Sequence, residues 1–123
     1  MAVTQKRIEA LTRYWRKRLH LHEWRISIKV GEFEDEGRFA KLSAANVAEP
    51  DYLEATVYYD PDRIREAKED LNRLTCHELL HCHTAELVTI CDQWAGDDPI
   101  RQRMVKHAHE QLVSRLERIL TDG

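Results

Sequence analysis

The sequence predicts an α+β domain, and three observations carry that reading. Apolar residues recur at helical spacing near both ends of the chain, and segments of alternating character lie between positions 24 and 59. Cap-plus-proline signals at Asp60-Pro61 and Asp97-Asp98-Pro99 mark where helices begin. A chain of 123 residues holds one hydrophobic core and not two, so residues 1–123 are expected to form a single domain. Its expected parts are an N-terminal helix, a small three-stranded and mostly antiparallel sheet, and two later helices that carry the chemistry.

The first helix is expected from about Thr4 to His20. Ile8, Leu11, Trp15 and Leu19 form its buried stripe. Lys6, Arg7, Arg13, Arg16, Lys17 and Arg18 cover the other faces against one acid, Glu9, which makes a solvated surface or a nucleic-acid contact. Trp24 to Val30 alternates apolar and polar residues, as a strand covered on one face does. The acidic stretch Gly31 to Gly37 reads as a hairpin loop or solvated turn, and its spacing matches no calcium-binding EF-hand loop. Arg38 to Ala48 reads as a second strand, Glu49-Pro50-Asp51-Tyr52 as a turn, and Glu54 to Tyr59 as a third strand. Asp60 caps a helix that Pro61 opens, with a break expected near Asp70-Leu71. The helix that follows ends before Gly96. A last helix runs to about Leu120 with an apolar stripe of Val105, Ala108, Leu112, Leu116 and Ile119.

Composition narrows the function classes. Hydrophobic residues make up 42% and charged residues 33%, with net charge −3 and a pI of about 6.2. The chain as a whole therefore lacks polyanion-binding character, and no apolar run spans a bilayer. Met1-Ala2-Val3-Thr4 leads straight into the first helix without the pattern of a signal peptide. Cys76, Cys82 and Cys91 are odd in number and lack CxxC spacing, as reduced thiols in a cytoplasm would.

His77-Glu78-Leu79-Leu80-His81 is the most informative segment. On a helix, residues four apart share a face, so His77 and His81 can offer two imidazole nitrogens to one metal ion. Glu78 then stands beside the metal, where a carboxylate can take a proton from bound water. This HExxH arrangement is that of zinc-dependent hydrolases and makes a metallopeptidase using one Zn2+ the leading expectation. No Pro or Gly interrupts the helix between Arg63 and Gly96, and five of the seven His (77, 81, 83, 107 and 109) lie in the C-terminal half. A catalytic zinc takes a third protein ligand, and the last helix offers His107, His109, Glu110 and Glu117. His109 lies near the middle of the apolar stripe. Glu110 lies about 100° around, in line with Val113 and Glu117. His109 is favoured if the helix packs by its main stripe, and Glu110 if it is wedged between sheet and motif helix.

In the order of its parts the chain resembles small phage- and prophage-borne metallopeptidases of the minigluzincin type. The likeness rests on the basic helix ending at Leu21, the strand opened by Trp24, and the strand closing at Tyr58-Tyr59-Asp60. It continues through Thr75-Cys76-His77-Glu78-Leu79-Leu80-His81 and the Glu110-Gln111-Leu112-Val113-Ser114-Arg115-Leu116 segment. The resemblance implies a compact zincin-like domain whose third ligand is Glu110, with the apolar Val113 three residues on. Gluzincins often extend this region as NExxSD. Here His109 replaces the Asn and no Asp follows, a departure that falls on the surroundings of the ligands.

The expected chemistry is hydrolysis of a peptide or protein substrate, with Glu78 as general base toward a zinc-bound water. Tyr58, Tyr59, His83 and His107 are candidates to stabilise the oxyanion, and His109 to support a ligand. For orienting the ligating His, Asp60, Asp62, Glu86 and Asp92 have the right chemistry. By the same resemblance, Glu54 to Tyr59 is expected as an open edge on which a peptide pairs. Two other classes compete. One is a DNA-associated, SprT-like zinc protein that docks through the basic first helix; the other is a zinc-stabilised domain without turnover.

Overall fold

The computed structural model of the protein describes residues 3–122; Met1 and Ala2, at the N-terminus read above, and Gly123 lie outside the described residues. Helix α1 spans Gln5–Arg18. The Thr4 hydroxyl accepts from the Arg7 N–H at 3.2 Å and starts it. The helix buries Ile8, Thr12 and Trp15, and the Trp15 indole N–H donates to Asn72 Oδ1 at 2.8 Å. His83 Nε2 lies 2.6 Å from the Leu19 carbonyl, to which it donates just past the helix end. That contact gives His83 a packing role and takes it out of the candidate oxyanion donors.

Strands β1 (Arg25–Val30), β2 (Ala44–Glu49) and β3 (Glu54–Tyr59) form one sheet in the order β1-β3-β2. β2 and β3 are antiparallel, whereas β1 and β3 are parallel. The sheet is thus mixed, where a mostly antiparallel one was expected. The tight Pro50–Tyr52 turn, with Leu53 left-handed at φ 51°, folds β2 back onto β3 as a hairpin. β1 then takes the opposite flank of β3. Two further expectations change. β3 is the central strand and not an edge; the edges of the sheet are β1 and β2. The second strand covers Ala44–Glu49 and not Arg38 to Ala48, because residues 38–42 form turns with Lys41 left-handed at φ 65°.

Those turns are held from a distance. Helix α2 (Pro61–Glu66) places Arg63 so that its guanidinium donates to the carbonyls of Phe33, Glu34, Phe39 and Leu42 at 3.1–3.2 Å. Asp60, only 3% exposed, accepts from the backbone N–H groups of Phe33 at 2.9 Å and Arg63 at 3.2 Å. Changing Asp60 to Ala removes a helix cap and leaves a partly buried N–H unpaired. We expect it to cost about 2 kcal/mol of unfolding free energy in a urea titration. A cost below about 0.5 kcal/mol would mean that Asp60 does not fasten the loop to α2.

Helix α3 spans Leu71–Ala95, and Asp70 Oδ1 caps it by accepting from the N–H groups of Asn72 and Arg73. Cys76 and Leu79 are fully buried in one core with Val57 and Tyr59 of the sheet and Ile8 and Trp15 of α1, and Thr75 is fully buried as well. The Asn46 side-chain amide of β2 donates to the Glu78 carbonyl at 2.6 Å, fastening the edge strand to the motif.

Helix α4 spans Pro99–Asp122 and is rotated away from the expected packing. Val113 is its fully buried residue, and Leu116 and Leu120 pack on the core. Ile119 is 70% exposed, while Val105, Ala108 and Leu112 line an apolar groove of ≈ 310 Å³ with Leu87 and Trp94 of α3. The face bearing Glu110, Val113 and Glu117 therefore looks toward α3. Among the described residues no helix is long and apolar enough to cross a membrane.

Candidate metal centre

Two helices bring the candidate ligands together. His77 and His81 stand one turn apart on α3, with ring centroids 5.1 Å apart. Glu110 reaches them from α4: its Oε2 lies 3.5 Å from His77 Nε2 and its Oε1 lies 3.8 Å from His81 Nε2. One ligand atom from each residue falls within 4.8 Å of the others. Ligands about 2.0–2.1 Å from a tetrahedral zinc stand roughly 3.4 Å apart, so two imidazoles and a carboxylate at these separations fit such an ion. The same N/O set also suits cobalt, nickel or manganese.

The other nitrogen of each ring also has a polar neighbour. His81 Nδ1 lies 3.2 Å from His109 Nε2, which is also 2.7 Å from the Thr84 hydroxyl. Burial is the main influence holding the His109 pKa below the usual histidine value. His109 thus stands behind His81 and outside the group of ligand atoms. His77 Nδ1 lies 3.8 Å from Glu117 Oε1.

Burial, reinforced by His77 and His109, lowers the His81 pKa to about 3 and keeps its ring neutral, as a metal ligand requires. Glu78 is 6% exposed. Burial, then the charges of Glu110 and Glu69, raises its carboxyl to about 8 in the metal-free protein. A carboxylate whose affinity for a proton is raised in this way is suited to general-base work near neutrality.

A groove of ≈ 380 Å³ opens beside His77 and Glu78. Lys41, Leu42, Ser43 and Ala44, leading into β2, form one wall; Glu69, Asp70, Arg73 and Leu74 of the α3 entry form the other, and Glu117 joins them. Neither tyrosine reaches it. Tyr59 is fully buried, which raises its hydroxyl to about 12, and Tyr58 lies on the far face of the sheet against Phe39, ring centroids 4.9 Å apart. Alternation along β3 sends these neighbours to opposite faces, and neither face is the metal cluster. His107 is exposed on α4 and outside the cluster. The cationic donors lining the groove are instead Lys41 and Arg73.

Comparison with protein-family models, curated proteins and solved structures gives no match. The residues and their geometry carry the functional reading alone.

Asp60, Asp62, Glu86 and Asp92, whose chemistry suits a partner for the ligating His, make no hydrogen bond or ion pair with His77 or His81 among the described residues. Glu117 and His109 occupy those places. Glu117 shares a helix face with Glu110 at the i,i+7 spacing, the one sequence signal that would have singled it out.

Proposed function

We propose that this chain is a zinc-dependent metallopeptidase of the minigluzincin type that hydrolyses peptide bonds in a peptide or protein substrate. The meeting of His77, His81 and Glu110 beside a buried Glu78, at the wall of an open groove, carries this reading. His77, His81 and Glu110 would hold the zinc. When bound, zinc supplies Lewis acidity that polarises a substrate carbonyl and acidifies water from ~15.7 toward about 7.

The chain's own groups do the rest. Glu78 accepts a proton from the attacking water and returns it to the departing amine. Lys41, at the groove wall, supports the carbonyl oxygen as negative charge develops on it. β2 is a sheet edge, and an extended peptide laid along it gains backbone hydrogen bonds that fix its scissile bond over the groove.

Cleavage of an unfolded protein such as reduced, alkylated casein is the direct assay. Activity that is lost to a zinc chelator and restored by added zinc supports the proposal; cleavage indifferent to chelation contradicts it. The DNA-associated reading is weaker. Arg16 is committed to the carbonyls of Leu21, His22 and Trp24, and the Arg18 guanidinium lies 6.0 Å from the Trp15 ring centre. Part of the basic face of α1 thus serves the fold.

A further inference from the structure

Glu117 offers one carboxylate oxygen to His77 Nδ1 at 3.8 Å, and its other oxygen stands 3.7 Å from Arg73 Nη1. Arg73 also pairs with Asp122 and approaches Asp70 at 4.0 Å. The Glu117 side chain is only 17% exposed, as His77 is at 18%, so this contact lies in a partly desolvated seam between α3 and α4. His77 Nε2, meanwhile, faces Glu110. The two nitrogens of His77 therefore meet two different carboxylates of α4, one at the ligand group and one behind it.

Resting on the metal-site reading above, we propose that Glu117 is the positioning residue for His77, with Arg73 holding its carboxylate in place. Glu117 stands on the Nδ1 side of the ring, which leaves Nε2 facing the ligand group. A carboxylate behind an imidazole also makes that imidazole a better donor to a metal. Arg73 keeps this second acid from acting as a competing ligand by drawing it toward the entry of α3.

Zinc affinity by chelator competition, combined with the visible spectrum of the cobalt-loaded protein, tests the assignment. Glu117→Gln and Glu117→Ala are expected to weaken zinc binding about 10–100-fold and to leave the shape of the cobalt spectrum unchanged. Glu117→Asp should recover part of the affinity. Glu110→Gln, which alters a direct ligand, should change the spectrum itself. Zinc binding by Glu117→Ala equal to that of the parent would overturn the proposal, and so would a spectrum altered as in Glu110→Gln, which would make Glu117 a ligand. Failure of the unmutated protein to bind zinc or cobalt would instead strike the metal-site reading. Folding is followed by circular dichroism of the metal-free variants, where a purely structural role would show as lost stability without this pattern.

Discussion

Glu78→Gln is expected to lower kcat for peptide hydrolysis by about 10²–10⁴-fold while the protein still takes up one zinc per chain. Gln fills the same space but accepts no proton, so only the base is lost. The same change should stabilise the metal-free protein. The Glu78 carboxyl has a pKa of about 8 in the folded chain against 4.5 for an unburied one, chiefly because it is buried. Below pH 4.5 both states keep the proton and its contribution to stability is intact. Between pH 4.5 and 8 the unfolded chain releases the proton while the folded chain retains it, so stability is lost as pH rises. Gln carries no such liability, and its advantage should grow from nothing near pH 4.5 to on the order of 2–3 kcal/mol at pH 7. Urea titrations at those two pH values read the difference directly. A variant that keeps full activity would remove Glu78 from the mechanism. A pH-independent stability difference would contradict the burial argument.

His81→Ala is the second large effect. With zinc at 1,000 times its dissociation constant, binding stabilises the folded protein by about 4 kcal/mol, which for a chain of this size raises Tm by about 10–15 °C. Removal of one of three ligands should erase nearly all of that increment. Metal-free His81→Ala and metal-free parent should differ far less at pH 7, where a ring with a pKa of about 3 is already neutral. Differential scanning calorimetry with and without zinc separates the two contributions. A zinc-induced rise in Tm as large in the variant as in the parent would place the ion elsewhere.

Local features of this protein were readable in its sequence because their physics is local. Two histidines four apart on a helix share a face whatever surrounds them, so the pairing of His77 with His81 follows from spacing alone. Asp60, Asp70 and Asp98 cap helices because each side chain reaches N–H groups two or three residues on. What depends on distant contacts was not readable in the same way. The strands at 25–30 and 54–59 announce themselves by alternation, yet their parallel pairing depends on the Pro50–Tyr52 turn and on which flank of β3 stays free.

The rotation of α4 shows the limit most sharply. Val105, Ala108, Leu112, Leu116 and Ile119 make the more apolar stripe, but the helix buries Val113 and leaves Ile119 in solvent. The seam with α3 was chosen by the fit of Val113, Leu116 and Leu120 into the core, and that choice brings Glu110 to the histidines. Nothing near residues 38–42 in the sequence shows that Arg63 gathers four of the loop's carbonyls, so their turns are not legible locally. The Glu117 contact with His77 depends on the same rotation of α4; only the alignment of Glu117 with Glu110 on one helix face is legible in the sequence.

Metal content by elemental mass spectrometry tests the central claim most directly. The measurement is made on protein purified without chelator and again after refolding with zinc, in parallel with His81→Ala and Glu110→Gln. The account predicts one zinc per chain in the parent, none retained in His81→Ala, and a weakened, partly occupied site in Glu110→Gln. A parent chain that holds no metal even after refolding with zinc would contradict it, leaving His77, His81 and Glu110 as neighbours without an ion to share.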